Sequence, residues 1–159
     1  MRVRRATAHD VVPLLALMRA LAVFEGYDAD FRVTASDLLA RGLGGQAAPE
    51  FIALVAEDGH GSLCGHAVLL VTPFTYDLRP TVVLKELYVD VQHRRRGVAE
   101  GLLAAVQAEA QAIGAGRIRW LVLPGNGPAK RLYRRFGGAP DTAWESWERR
   151  LERPLQSSA

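Results

Sequence analysis

VVLKELYVDVQHRRRGVAEGLLAAVQAEA, residues 82–110, is the stretch that decides how the rest of the chain is read. It opens as a run of β-branched and apolar residues, passes through a basic turn containing Gly97, and continues with apolar residues at Ala99, Leu102, Leu103, Val106, Ala110 and Ile113. The first part has the composition of a buried strand and the last the spacing of a helix, so the stretch reads strand, turn, helix. Such a turn brings backbone N–H groups, a helix N-terminus and Arg94, Arg95 and Arg96 to one place. That combination suits a phosphorylated ligand.

Arg94-Arg95-Arg96-Gly97-Val98-Ala99 fits Arg/Gln-x-x-Gly-x-Gly/Ala, and in this context it resembles the pyrophosphate-binding loop of the GNAT superfamily of acyl-CoA-dependent N-acetyltransferases. Asn126-Gly127-Pro128-Ala129-Lys130-Arg131-Leu132-Tyr133-Arg134-Arg135-Phe136-Gly137 is similar to that family's Asn-x-x-Ala-x-x-Leu-Tyr-x-x-x-Gly segment. The two motifs stand in the family's order and at its distance. Without the resemblance, the arginine run fits a solvated turn or a nucleic-acid patch as well as a phosphate site. Tyr133, at helical spacing with Ala129 and Phe136, would then be a core residue.

The chain has 159 residues, 49% apolar and 23% charged, which is one ordinary globular domain, read as residues 1–155 with a flexible tail at 156–159. Its net charge of +3 tolerates an anionic ligand without demanding nucleic acid, and no basic face with interleaved aromatics points to such a partner. A single cysteine, Cys64, excludes an internal disulfide and reads as a small buried hydrophobe. His9, His60, His66 and His93 are scattered as solvated or locally bonded residues, and no His/Cys grouping has metal-ligand spacing. No apolar run approaches the roughly 20 residues that span a bilayer, so a cytoplasmic, membrane-free protein is the expectation.

Taken in order, residues 3–6 read as a strand, and Thr7-x-x-Asp10 as a capping box before a helix that stops near Gly26. Thr34-x-x-Asp37 starts a short helix that fades at Gly42 to Gly45. Residues 51–56 and 65–73 are strands joined by a turn at Asp58-Gly59-His60-Gly61. A central strand over 82–91, its helix ending at Gly114, a strand over 118–123 and a helix over 129–136 follow. Trp144, Trp147 and Leu151 predict a last strand or pair of strands up to Pro154. This succession is an α/β domain with a mixed sheet. The resemblance adds that the sheet is mainly antiparallel and flanked by helices, and that the strands ending at Val91 and Leu123 splay apart around a slot for the pantetheine arm.

Within the superfamily the chain is most similar to diamine (spermidine/spermine) acetyltransferases, through Leu21-Ala22-Val23-Phe24-Glu25, Thr75-Tyr76-Asp77, Leu84-Lys85-Glu86-Leu87-Tyr88-Val89 and Tyr133 through Glu145 and Trp147. The resemblance implies acetyl-CoA as co-substrate, with no metal, and a homodimer. It implies that Leu87, Tyr88, Val89, Val91, Arg94, Arg95, Arg96, Gly97, Val98, Ala99 and Glu100, with Asn126, Gly127, Pro128, Ala129 and Tyr133, border the cofactor. Phe24, Glu25, Lys85, Glu86, Glu145 and Trp147 would line the amine site. Lys85 stands where those enzymes carry an acid, which turns the expectation from spermine toward a smaller or carboxylate-bearing amine. An alkylammonium with a pKa of about 10.4 must lose a proton before it attacks, and Glu86, then Glu145, are the candidate bases. The N–H groups of Val89 to Val91 are candidate donors to the developing oxyanion, and Tyr133 is the candidate acid for the departing thiolate. Acetylation of a protein N-terminus or lysine, and an acyl-CoA-binding module without turnover, are the alternative functions.

Overall fold

The computed structural model describes residues 1–73 and 76–151. Thr75, one of the residues carrying the diamine-acetyltransferase likeness, and the expected flexible tail at 156–159 lie outside the described residues. Five strands, β1 (Arg2–Arg5), β2 (Ile52–Glu57), β3 (Leu63–Thr72), β4 (Thr81–Val89) and β5 (Arg117–Trp120), form one sheet in sequential order. The helices are α1 (Val11–Glu25), α2 (Ala35–Leu38), α3 (Val98–Ala112) and α4 (Gly127–Arg135). Pairs β1/β2, β2/β3 and β3/β4 are antiparallel and β4/β5 is parallel, which is the mixed, mainly antiparallel sheet that was expected.

The strand period of two sorts side chains onto two faces. Leu54, Ala56, Ala67, Leu69, Val82 and Leu84 point to one face and pack with Leu102, Leu103, Val106 and Ala110 of α3. Ala53, Val55 and Val68 point to the other and pack with Leu14, Met18 and Leu38 of α1 and α2. Burying each leucine of the α3 stripe stabilises the domain by about 1.5–3 kcal/mol. α1 is introduced by the expected capping box, where the Asp10 carboxylate accepts the Thr7 N–H at 2.7 Å and two bonds from Arg4 at 2.7 and 2.8 Å. The Arg4 guanidinium holds the Asp10 carboxyl down at about 2. α1 stops at Gly26, whose φ of 80° gives the left-handed cap that glycine accepts without strain.

What matters for function is where the sheet opens. β4 and β5 pair only from Thr81↔Arg117 to Leu84↔Trp120. The splay expected from the resemblance is present, but β4 ends at Val89 rather than Val91, and β5 ends at Trp120 rather than Leu123. The cause lies in the register on the other side of β4. Leu84 faces Leu69 and Glu86 faces Val68, so Lys85 is an extra residue, a bulge. A bulge raises local twist and bends its strand, and this one falls where pairing with β5 ceases.

The expected last strand up to Pro154 is not formed by the described residues: no strand is present from Gly137 to Leu151. The apolar side chains recur at 144, 147 and 151, intervals of three and four that put no continuous apolar face on a strand. Trp144, Trp147 and Leu151 are all well exposed. Among the described residues no helix is long and apolar enough to cross a membrane, and no group of three or more His, Cys, Asp or Glu could hold a metal ion.

Candidate functional site

The opening between β4 and β5 is a cleft of about 1180 Å³. One wall is β4 over 84–89, whose edge is unpaired from Lys85 onward, and the other is residues 121–125. The N-terminal ends of α3 and α4 line one part of it and the last turn of α1 lines another, with Leu21, Phe24 and Glu25. Leu121, 83% exposed, and Leu123 reach the surface here because no neighbouring strand covers them.

At the helix end, Gly97 is the N-cap of α3 with φ 79°, and a Cβ on it would meet no atom within 4 Å. A helix N-terminus with open room above it and Arg95 beside it can accept a pyrophosphate on main-chain N–H groups. Arg95 itself has φ 59°, a left-handed conformation that costs a non-glycine residue about 1 kcal/mol, in a residue that lines the cleft. Arg94 is tied inward. Its Nε donates to the Val89 carbonyl at 3.0 Å and its guanidinium lies 4.9 Å from the Phe24 ring centre and 5.7 Å from that of Tyr88. It therefore joins the end of β4 to the end of α1. Asn126 caps α4 by accepting the Ala129 N–H at 3.1 Å, and Arg135 of α4 bonds Glu100 of α3 at 3.0 Å across the mouth.

The pairing of β3 and β4 decides which main-chain donors face the cleft. The Asp90 N–H donates to the Cys64 carbonyl at 2.9 Å, which makes Gly65↔Val89 a pair that exchanges no bonds. The Val89 amide, and by alternation that of Leu87, therefore turn to the unpaired edge. Of the three amides expected at 89–91, that of Asp90 is committed to β3 and Val91 begins a 3-10 turn, leaving Val89.

At the other end of the cleft the groups are side chains. Glu25 of α1 and Lys85 and Glu86 of β4 line it together, with Tyr133 of α4 opposite. Burial raises the Glu25 carboxyl and the charge of Glu86 raises it further, while Lys85 pulls the other way. Tyr27 is pushed up to about 12 by burial and then by the charges of Glu86 and Glu25. Burial, then the charge of Glu25, raises the Tyr133 phenol, so it stays protonated at neutral pH. In all three burial leads, and the charges of Glu25 and Glu86 act in the same direction. Tyr133 also rests on Trp120, ring centres 5.1 Å apart, so its packing and its place in the cleft are compatible.

Of the residues singled out in the sequence, the cleft gathers Phe24, Glu25, Lys85, Glu86, Leu87, Tyr88, Val89, Arg94, Arg95, Gly97, Val98, Ala99, Glu100, Asn126, Pro128, Ala129 and Tyr133. It does not include Val91, 66% exposed beyond the end of β4, nor Arg96 and Gly127, which are absent from its lining. Glu145 and Trp147 are also outside it. Trp147 is 88% exposed and its indole N–H donates to Glu145 Oε2 at 3.1 Å, because the segment that carries them joins no strand that could bring them in. Sequence reasoning missed residues 121–125, His93, Arg131 and Arg135 in the lining and Tyr27 nearby. It left His66 as a solvated or locally bonded histidine, whereas His66 is 0% exposed and its Nε2 lies 3.0 Å from Glu86 Oε2. The signal was there: His66 is an even-numbered residue in the same strand as Val68, whose side chain faces α1.

Residues 18–138 match the Acetyltransferase (GNAT) family. The thialysine N-epsilon-acetyltransferase of Mus musculus is 30% identical over 92% of this chain and 88% of its own length. The crystal structure of a probable acetyltransferase superposes with a TM-score of 0.81 at 22% identity, covering 97% of this chain and 100% of that one. The aminoglycoside N-acetyltransferase AAC(6')-Iy, in complex with CoA, superposes with a TM-score of 0.69 at 20% identity over 94% and 99% of the two chains. A family match over most of the chain, a relative aligned almost end to end and a sheet that parts where a thioester arm can enter agree, and the chain belongs to the GNAT family of N-acetyltransferases.

Proposed function

We propose that this enzyme moves the acetyl group of acetyl-CoA to the side-chain amine of a small lysine-like amino acid, by direct attack with both substrates in the cleft. The observation that carries this reading is the meeting of Glu25 and Glu86 with Lys85 on one side of the cleft. Two neighbouring carboxylates repel each other and so take up an ammonium or a proton more readily than either alone. A single lysine beside them favours an amine that also carries a carboxylate and disfavours a long polycation. The name of the mouse relative, an acetyltransferase of thialysine, supports the same class.

Bound acetyl-CoA supplies an activated thioester. The N–H groups at the start of α3, with Gly97 leaving room and Arg95 adding charge, hold its pyrophosphate. Glu86, through a water molecule, takes the proton that the ammonium must lose, and Glu25 keeps the nitrogen in place. The Val89 amide, turned to the unpaired edge of β4, donates to the carbonyl oxygen as negative charge develops there. Tyr133, held neutral by burial, gives its proton to the departing sulfur.

Release of the CoA thiol, followed over thialysine, lysine, spermidine, spermine, an aminoglycoside and an N-terminal peptide, tests the reading. The expected result is the highest kcat/KM with a carboxylate-bearing amine, and a shift of at least about tenfold toward spermine in Lys85→Glu, about 1.4 kcal/mol. A wild-type enzyme that prefers spermine to every carboxylate-bearing amine overturns the acceptor assignment.

A further inference from the structure

His66 lies at the centre of β3, on the face covered by α1, and is 0% exposed. On that face β3 places His66 and Val68 and, past the bulge at Lys85, β4 places Glu86 and Tyr88. His66 is in register with Tyr88, whose ring centre is 6.1 Å away, and Glu86 is its diagonal neighbour. The contact this creates is a 3.0 Å bond between His66 Nε2 and Glu86 Oε2, while Nδ1 is buried without a hydrogen-bond partner among the described residues. An ionised carboxylate only accepts, so the hydrogen between the two sits on Nε2, and Nδ1 is left unmatched.

Leaving a polar atom buried and unmatched costs about 1–3 kcal/mol, and a valine or phenylalanine would fill the same place without that cost. Packing alone therefore does not account for a histidine here. Its one hydrogen bond goes to a carboxylate whose residue lines the cleft. Resting on the function proposed above, we propose that His66 is a positioning residue for acetyl transfer: by holding Glu86 Oε2 from the neighbouring strand on the same face of the sheet, it fixes the carboxylate with its other oxygen toward the amine. Held in one rotamer, Glu86 meets the ammonium and its water without first giving up side-chain freedom.

Acetyl transfer to thialysine, or to the best amine of the panel, is measured for wild type, Glu86→Gln, His66→Phe, His66→Gln and the double variant His66→Phe/Glu86→Gln, with melting temperatures for all. His66→Phe is expected to lower kcat about tenfold with the KM for acetyl-CoA unchanged. His66→Gln, whose amide nitrogen can stand where Nε2 stands, recovers most of that loss. In the Glu86→Gln background His66→Phe costs nothing more, since a residue that acts through Glu86 has nothing left to act on. Loss in Glu86→Gln with none in His66→Phe overturns this inference alone. Equal loss from His66→Phe in both backgrounds, following the melting temperature, makes His66 a core residue and also overturns it. Wild-type turnover by Glu86→Gln removes the proposed base, and this inference with it.

Discussion

At the helix end of the cleft the groups offered to a ligand are main-chain N–H groups at the start of α3, with a glycine that leaves room for the ligand. At the other end they are the side chains of Glu25, Lys85, Glu86 and Tyr133, drawn from α1, β4 and α4, with His66 of β3 behind them. The first arrangement is made by one local turn, so any chain that folds this way presents it. The second needs four elements to be placed first, and one substitution changes what it selects. A donor shared by a whole family and an acceptor that differs between members fit these two constructions.

The comparison breaks most decisively if the helix end does not depend on its backbone. Gly97 has φ 79°, which a β-branched residue adopts only with strain, and a valine side chain would occupy the room above the helix start. Gly97→Val is expected to weaken CoA binding by about 100-fold or more, roughly 2.7 kcal/mol, measured by calorimetry on a variant shown to be folded by circular dichroism. Glu86→Gln, at the other end, should leave CoA affinity within about twofold. An unchanged affinity in folded Gly97→Val removes the phosphate site from this turn.

Tyr133 stands with the side-chain groups, and its substitution separates binding from turnover. Tyr133→Phe keeps the ring against Trp120 and removes only the hydroxyl, so CoA affinity and melting temperature should hardly move. kcat should fall about 100-fold, the lower range for a lost general acid. Turnover at the wild-type rate, with chemistry limiting, leaves Tyr133 as packing.

The same division explains what could be read from the sequence. Glycines, caps and helical spacing are local, so the strand-turn-helix at 82–110, the caps at Thr7 and Thr34, and the turn at Gly97 were all legible from residue order. The splay came from the resemblance, since nothing in the spacing of 82–91 or 118–123 announces it. Its cause, the bulge at Lys85, leaves no mark because no glycine or proline stands there. The burial of His66 could be read from strand alternation, but its bond to Glu86 could not: the partner is 20 residues away, and the pair exists only through the β3/β4 register. Glu145 and Trp147 lie outside the cleft for the opposite reason. A family position was carried onto a segment whose apolar spacing does not support the strand that would deliver it.

The smallest expected effect is at Glu25, and it tests whether the acceptor end is maintained at a cost to the fold. Burial and the nearby charge of Glu86 raise its carboxyl above the ordinary value, so the folded protein binds that proton more tightly than the unfolded chain does. Below the unfolded value, about pH 4, both states hold the proton and Glu25 has no effect on stability relative to glutamine. As pH rises through the raised folded value, the wild type must ionise a carboxyl that the fold disfavours, and it loses stability relative to Glu25→Gln. The melting temperature of Glu25→Gln minus that of wild type should therefore be near zero at about pH 4, become positive above it and level off by neutrality. The KM for the amine should rise several-fold while CoA affinity stays put, because only the side-chain end of the cleft has been altered. A difference that runs the other way with pH, or an amine KM that does not move, would mean that Glu25 and Glu86 do not share one site, and the acceptor end would need a different carboxylate.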